Sequence, residues 1–264
     1  MAFAFITELL SPGMDKVSLL HVSSSVQEAA HVTKIFSLFE PENRLLEVNN
    51  VSLVAGGGHS GKPLSKLQEE CDALRADFLV MGSEVLAKAE STTAALGSLA
   101  LAAVKELTIP VLVMKRNAKL AFNSEARAEY GDKPIPITVL LHAADFGVMD
   151  ALKFLKEILR VKAGDEVVVS CENAQGDGKE RQRQLLAAID SELETAHIES
   201  ARQAFNKGNT ARSISRTARE RHCDLVVITA PPQRGISPEV AELLHIAPCP
   251  VLVWMQAKRL KSDL

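Results

Sequence analysis

The sequence predicts an α/β protein built from two copies of one doubly wound domain, in which helices cover both faces of a parallel sheet. Two observations support this prediction. Short apolar runs rich in Val, Leu and Ile alternate with longer amphipathic segments, a pattern typical of parallel sheets covered by helices. In addition, segments of the first half of the chain recur in the second half at nearly constant offsets, which indicates a duplicated domain.

The repeat also locates a deletion in the second copy. The matching segments, with their offsets, are 2–10 with 151–159 (149), Asp15 with Asp165 (150), 77–83 with 224–230 (147), and 109–113 with 249–253 (140). The offset falls between the last two pairs, where a ligand loop is expected. The second copy has therefore lost seven residues in that loop.

The repeat divides the 264 residues into two domains of ordinary size. We predict a first domain over 1–115, truncated at its N-terminal end, and a second over 135–257, followed by a tail over 258–264. The segment 116–134 between them is polar and contains Gly131 and Pro134, so it is interpreted as a linker.

The apolar periodicity predicts the individual elements. In the first copy, the predicted strands are Val17–Val22, Leu46–Val54, Phe78–Met81 and Val111–Met114, and the predicted helices are Val26–Phe39, Pro63–Leu74 and Thr92–Leu107. In the second copy, the predicted strands are Ile137–Leu141, Glu166–Ser170, His197–Arg202, Leu225–Thr229 and Val251–Trp254. The helices predicted between those strands are Val148–Leu159, Gly178–Glu194, Thr210–Arg221 and Pro238–Leu244.

The first copy is expected to lack its first strand. Alignment of the repeats places its first helix at Ala2, so the counterpart of Ile137–Leu141 would precede Met1. A doubly wound sheet holds its first strand in the middle, and an empty position there leaves two rows of backbone groups unpaired. A refolded Met1–Phe5, a strand donated by another chain, or a segment missing from the given sequence would fill this position.

Composition limits the class of function. The chain is 47% hydrophobic and 24% charged, as in soluble globular proteins, and its net charge of -3 provides no general attraction to nucleic acid. The longest apolar run, Ala94–Val104, is too short to cross a bilayer, and no signal peptide is recognised. The four cysteines form no CxxC pair and are expected to be buried reduced thiols. We therefore expect a cytoplasmic protein without nucleic-acid or membrane partners.

One glycine-rich motif resembles a phosphate-binding loop. Gly56–Lys62 follows an apolar strand, precedes a helix and nearly matches GxxxxGK[ST]. The next residue is Pro63, which has neither the hydroxyl that holds Mg²⁺ nor a backbone N–H. We interpret the segment as a loop that leads into a helix, and a P-loop NTPase is the least favoured of three hypotheses.

Three segments resemble the universal stress protein family: His245–Val253 (HIAPCPVLV), Asp77–Ser83 (DFLVMGS) and Leu19–Val22 (LLHV). The resemblance covers both copies almost end to end. It implies two universal-stress-protein-like domains in tandem, of the adenine nucleotide alpha hydrolase-like kind. It also implies an intramolecular pseudo-dimer in which the last strands, Val111–Met114 and Val251–Trp254, pair with each other.

The resemblance also indicates where a nucleotide would bind. Family members that bind ATP carry Gly-2x-Gly-9x-Gly-Ser/Thr and an Asp at the end of the first strand. In the first copy, Val85 replaces the middle glycine and the motif is two residues too long. If this copy retains ATP binding, the residues that would surround the phosphates are Gly82, Ser83, Gly97 and Ser98.

The second copy has lost the other half of the site. His142 or Ala143 lies nearest the position of the family's Asp, and Asp145 comes two to three residues late. After Ile228 the chain reads TAPPQRG, without the first glycine and without a terminal Gly-Ser. Neither copy therefore holds a complete nucleotide site.

We therefore expect a non-catalytic binding or scaffold module with degenerate nucleotide sites, acting as a component of a larger assembly. No catalytic residue, metal ligand or required cofactor is predicted. A protein partner is expected, and it could donate the missing strand. The alternative is a stress-response protein that binds ATP or AMP through the first copy.

Overall fold

The strands and helices lie where the apolar periodicity predicts them. The computed structural model describes residues 16–23, 30, 34, 47–54, 63–83, 98–115, 135–145, 147–159, 164–176, 178–205, 210–230 and 236–255. The strands within these residues are β1 (Lys16–Ser23), β2 (Glu47–Val54), β3 (Leu79–Ser83), β4 (Val111–Lys115), β5 (Thr138–His142), β6 (Glu166–Glu172), β7 (Glu199–Phe205), β8 (Leu225–Ala230) and β9 (Val251–Met255). The helices are α1 (Pro63–Leu74), α2 (Ser98–Glu106), α3 (Val148–Ile158), α4 (Gly178–Thr195), α5 (Thr210–Glu220) and α6 (Pro238–Ile246).

One strand differs clearly from its prediction. β7 was predicted at His197–Arg202, but it begins at Glu199 and ends at Phe205. His197 has a φ of 55°, a left-handed conformation that an extended strand does not contain. The turn after α4 therefore takes up the residues that the prediction gave to the strand.

Some predictions fall on residues that the structure describes in part or not at all. The helix predicted over 92–107 is described from Ser98 onward, and the helix predicted over 26–39 only at Ala30 and Lys34, which are both helical. The helix at 2–10, the linker 116–134 and the tail 258–264 lie outside the described residues.

The chain divides into two compact units, one formed by residues 9–76 and the other by 1–8 together with 77–264. This division falls within the first copy and not at the predicted linker, so the tandem boundaries stay a prediction. In the smaller unit, β1 and β2 run parallel over their whole length, from Lys16 opposite Glu47 to Ser23 opposite Val54.

The larger unit contains a seven-stranded sheet in the order β3-β4-β9-β8-β5-β6-β7. All neighbours are parallel except β4 and β9, which are antiparallel with Leu112 opposite Leu252. The pairing of last strands implied by the family resemblance is thereby confirmed. It joins two strands of the first copy to five of the second in one sheet.

The second copy is arranged around β5. This strand pairs with β6 on one side and with β8 on the other, and its last four residues are buried. The chain therefore leaves β5 toward one half of the sheet and returns on its other side. Such a switch point opens a crevice at the carboxyl ends of the strands, where α/β proteins bind ligands.

Two buried aspartates hold the start of β5. Asp165 Oδ1 accepts a hydrogen bond from Ile137 N, and Asp224 Oδ2 accepts one from Thr138 N, both at 2.9 Å. Asp165 is 2% exposed and Asp224 is 8% exposed. Because buried backbone N–H groups are costly when unpaired, these carboxylates stabilise the point at which the central strand enters the sheet.

The first copy has no counterpart of β5 within the described residues. Its strands are split between two sheets, with β1 and β2 in one and β3 and β4 in the other. β3 stands at the edge of the seven-stranded sheet, whereas its counterpart β8 has a neighbour on each side. The prediction that the first copy lacks its first strand concerns residues 1–15, which lie outside the described residues, and it stays a prediction.

Candidate ligand cavity in the second copy

A cavity of about 1010 Å³ lies at the carboxyl ends of β5, β6 and β8. Its floor includes His142 from β5, Glu172 from β6 and Thr229 from β8. These three strands flank the switch point of the second copy, so the cavity occupies the crevice in which doubly wound proteins bind their ligands.

The N-terminal ends of three helices face the same space. Gly178, Thr210 and Pro238, which begin α4, α5 and α6, all line the cavity. Ser237 caps α6 by accepting a hydrogen bond from Val240 N at 3.3 Å. Because helix N-termini carry partial positive charge, this framework alone would favour an anion.

The side chains reverse that preference. Among the described lining residues, Arg181 is the single Arg or Lys, against the four acidic residues Asp145, Glu172, Glu239 and Glu242. The Ser237 side chain and a backbone N–H donate hydrogen bonds that lower the pKa of Glu239. The described lining is therefore negatively charged.

Several of these carboxylates have local partners. Asp145 Oδ1 accepts from Gly147 N at 2.8 Å, and the Thr210 hydroxyl donates to Glu172. Glu242 pairs with Arg212, where Nε and Oε1 are 3.1 Å apart. Arg212 therefore offsets part of the charge of Glu242, and the other contacts hold their carboxylates in place through hydrogen bonds.

His142 stands near the position at which nucleotide-binding relatives would carry Asp. It is 7% exposed, its ring stacks on Phe205 with centroids 5.8 Å apart, and Nδ1 lies 3.3 Å from Ser170 Oγ. Burial lowers the pKa of His142, so the ring is neutral at pH 7. It supplies no positive charge for a phosphate.

The structure describes three of the four residues predicted to bind phosphate in the first copy. Gly82 and Ser83 end β3, and Ser98 begins α2, whereas Gly97 lies outside the described residues. A Cβ placed on Gly82 would meet no atom within 4 Å, so no close backbone approach requires glycine there. Phosphate binding by these four residues stays a prediction.

The structure bears on further predictions about the glycine-rich loop, the cysteines, membrane crossing and metal binding. The loop Gly56–Lys62 lies outside the described residues. All four cysteines are buried and unpaired, as predicted, and burial raises the pKa of Cys223 to about 12. Within the described residues, no helix is long and apolar enough to cross a membrane, and no cluster of His, Cys, Asp or Glu could hold a metal ion.

None of Glu172, Glu239 and Glu242 was predicted as a site residue from sequence. One signal could have identified the first two: Glu172 ends a buried strand and Glu239 lies in the first turn of a helix. Because the carboxyl ends of parallel strands and the helix starts that follow them meet at one edge of a sheet, acidic residues at such positions converge. Glu242 lies farther along its helix and required the structure.

The fold is that of universal stress proteins. A solved universal stress protein from Archaeoglobus fulgidus DSM 4304 is 15% identical, with a TM-score of 0.64 over 97% of this chain and 90% of that chain. A functionally unknown protein from Pseudomonas aeruginosa PAO1 is 13% identical, with a TM-score of 0.59 over 97% and 85%. The cytoplasmic domain of a prokaryotic cation chloride cotransporter is 10% identical, with a TM-score of 0.55 over 98% and 91%.

These likenesses confirm the predicted fold, and at such identities they carry the fold alone. No protein-family model matches the sequence, and no curated protein matches it. The chain therefore has a tandem universal-stress-protein-like fold, and its function has to be argued from its own residues.

Proposed function

We propose that this chain is a non-catalytic binding and scaffold module of the cytoplasm, which works as a component of a larger assembly and does not depend on a bound nucleotide. The observation that carries the proposal is the acidic lining of the cavity at the switch point. The crevice that a nucleotide-binding relative would use is kept, but its charge opposes a polyphosphate.

The electrostatic repulsion between these carboxylates and a phosphate is comparable to the free energy of weak binding. Two like unit charges 4 Å apart repel by about 1 kcal/mol in water and by about 4 kcal/mol at an effective dielectric constant of about 20. Binding at a dissociation constant of 1 mM releases only about 4 kcal/mol. A few close contacts between carboxylates and phosphates would therefore abolish measurable binding, unless a cation bridged them.

The described residues also support a role without catalysis. Nucleophilic catalysis needs an accessible nucleophile beside a base. His142 and Ser170 are 3.3 Å apart, but Ser170 is fully buried and does not line the cavity. The four cysteines are buried as well. Ser170 and the four cysteines therefore present no accessible nucleophile to a ligand in this cavity.

A role within a larger assembly is compatible with this fold. One structural neighbour is, by its description, the cytoplasmic domain of a prokaryotic cation chloride cotransporter. A tandem fold of this kind thus exists as one part of a larger protein, and we extend that analogy of architecture, without its activity, to this chain.

Calorimetric titration of the full chain tests the proposal. We expect no saturable heat with ATP, AMP or cyclic AMP up to about 1 mM when no divalent cation is present. The double variant Glu239→Gln/Glu242→Gln should bind inorganic tripolyphosphate more tightly than wild type, because it removes two of the opposing charges. Glu180→Gln, an exposed residue of α4 outside the cavity lining, is the matched control.

A micromolar dissociation constant for ATP on the wild-type protein would overturn the proposal. The alternative, nucleotide binding through the first copy, would then be tested with Gly82→Asp. The added side chain has open space and brings a charge that repels phosphate, so loss of ATP binding in this variant would assign the nucleotide to the first copy.

A further inference from the structure

Asp77 precedes the edge strand β3, and its counterpart in the second copy, Asp224, anchors a neighbouring strand. Within the described residues, β3 pairs only with β4. Its counterpart β8 pairs with β9 on the equivalent side and with β5 on the other. The second copy therefore shows what an occupied edge looks like in this chain.

Exposure distinguishes the two strands although their sequences are similar. Val227 and Ile228 in β8 are 0% and 3% exposed. Their counterparts Val80 and Met81 in β3 are only partly buried. Apolar side chains that β5 and its surroundings cover in the second copy are thus left accessible to solvent in the first. An edge strand with accessible apolar side chains can pair with another strand.

The anchor is an aspartate just before each strand. Asp224 holds Thr138 through two hydrogen bonds: its backbone N donates to Thr138 O at 2.8 Å, and its Oδ2 accepts from Thr138 N at 2.9 Å. The repeat places Asp77 at the same position before β3, and its side chain is exposed. Asp77 can therefore offer the same acceptor to an incoming strand.

The backbone of β3 is oriented for such pairing. Leu79 N donates to Pro110 O at the β4 side, as Val226 N does to Pro250 O. Because successive residues of a strand direct their N–H and C=O groups to opposite sides, Val80 and Gly82 direct theirs to the free edge.

We propose that this edge of β3 accepts a parallel β-strand from a second polypeptide, with Asp77 accepting the N–H at the start of that strand. The inference rests on the proposed scaffold function and specifies the surface that function would use. The repeat leaves no stretch of residues 1–264 to match β5, because residues 2–10 already match α3. We assign this position to a strand from a second polypeptide, and hydrogen exchange of β3 distinguishes that strand from a refolded Met1–Phe5.

The register of β5 defines the chemistry of the partner segment. Val139, Leu140 and Leu141 lie opposite the residues of β8 that match Phe78, Leu79 and Val80. The partner should carry three consecutive apolar residues there. Strand addition of this kind gains affinity from main-chain hydrogen bonds and specificity from alternate side chains, so a proline that removed a donor toward β3 would be excluded.

A peptide with the sequence of residues 135–143 (IPITVLLHA), extended by two lysines and a fluorophore, provides the probe. Fluorescence anisotropy with the full chain should show saturable binding. Asp77→Asn should weaken binding about tenfold, which corresponds to about 1.4 kcal/mol. Glu106→Gln, an exposed acidic residue of α2, should not change binding, and a peptide carrying Leu140→Pro should bind poorly.

Residue-resolved hydrogen exchange keeps the test valid even if Asp77→Asn fails to fold. The amides of Val80 and Gly82 should exchange quickly in the free protein and slowly with the peptide. Those of Leu79 and Met81, directed to β4, should be protected in both states. Protection of Val80 and Gly82 before peptide is added would mean that the edge is already filled, and would overturn the proposal.

Two further results would overturn the proposal that β3 accepts a strand. One is the absence of peptide binding at about 1 mM, and the other is equal affinity of the peptide for wild type and for a folded Asp77→Asn variant. A parallel titration with ATP separates this outcome from failure of the proposed function. Nucleotide binding would refute the scaffold proposal whatever the peptide does, whereas loss of peptide binding alone would refute only the strand-accepting edge.

Discussion

Lys115, the last residue of β4, donates a hydrogen bond of 2.8 Å from Nζ to the carbonyl oxygen of His245 in the last turn of α6. The contact joins the first copy to the second. Carbonyl groups at a helix C-terminus lack intrahelical partners and carry partial negative charge, so they favour a cation. The same position is partly buried, and desolvation lowers the pKa of Lys115 to about 8. The ammonium group is thus held at the helix end against a desolvation cost.

This contact predicts a pH dependence of stability. The folded-state pKa of Lys115, about 8, lies below the ordinary value of 10.5, so between these values the unfolded chain binds more protons than the folded one. The contribution of Lys115 to the free energy of unfolding should therefore rise as pH increases from about 8 to about 10.5. Urea unfolding of wild type and Lys115→Met at several pH values measures it as a difference.

The free energy of unfolding of wild type, relative to that of Lys115→Met, should increase between about pH 8 and pH 10.5. It should stay constant below about pH 7. Lys105→Met, an exposed lysine of α2, is the matched control and should show no such trend. If wild type instead lost stability relative to Lys115→Met as pH rose, the folded-state pKa would have to be raised, and the desolvation argument would be wrong.

A second prediction concerns the aromatic contact between the copies. Phe154 of α3 packs edge-on against Phe78 of the first copy with centroids 5.3 Å apart, and against Trp254 of β9 at 5.2 Å. Aromatic pairs contribute about 0.5 to 1.5 kcal/mol beyond their buried area. Phe154→Leu should therefore lower the free energy of unfolding by about 1 to 3 kcal/mol.

A double-mutant cycle isolates the part of this effect that links the copies. Combining Phe78→Leu with Phe154→Leu should reveal a coupling free energy of about 0.5 to 1.5 kcal/mol. Additive effects of the two substitutions, within about 0.3 kcal/mol, would show that this ring pair does not couple the first copy to the second.

Much of this architecture could be predicted from sequence, because the signals are local. α1 is found at its predicted bounds since Pro63 marks its start, and β6 is recognisable as a continuous apolar run. The lining of the cavity is different. Glu172 and Glu242 lie 70 residues apart in the chain, and only the tertiary structure brings both to the lining of one cavity. Likewise, Asp77 and Asp224 precede strands that match each other in the repeat, and the structure alone shows that one is exposed and the other buried.

A third prediction follows from the buried imidazole in the cavity. Burial lowers the pKa of His142 below its ordinary value of 6.5, so the folded protein keeps the ring neutral while the unfolded chain takes up a proton below about pH 6.5. The stability of wild type should therefore fall as pH decreases through that range. Relative to His142→Leu, wild type should lose stability between pH 7.5 and pH 5, as measured by urea unfolding.

An exposed histidine provides the control for the acid dependence of stability attributed to His142. His222 lies in an exposed turn, so wild type and His222→Asn should show the same acid dependence. A constant difference between wild type and His142→Leu across the same pH range would mean that the folded protein protonates His142 as readily as the unfolded chain, contrary to the burial argument.

The last prediction compares the two strand-anchoring aspartates directly. Asp224→Ala removes the acceptor of Thr138 N in a buried position, and an unsatisfied buried donor costs about 1 to 3 kcal/mol. Asp77→Ala makes the same change at the matching residue of the first copy, where the side chain is exposed, and surface substitutions usually change stability by less than about 0.5 kcal/mol. Chemical unfolding of both variants should therefore show a clear loss for Asp224→Ala and little change for Asp77→Ala. Equal losses would mean that Asp77 already anchors a strand within the chain, and the edge of β3 would then be closed to a partner.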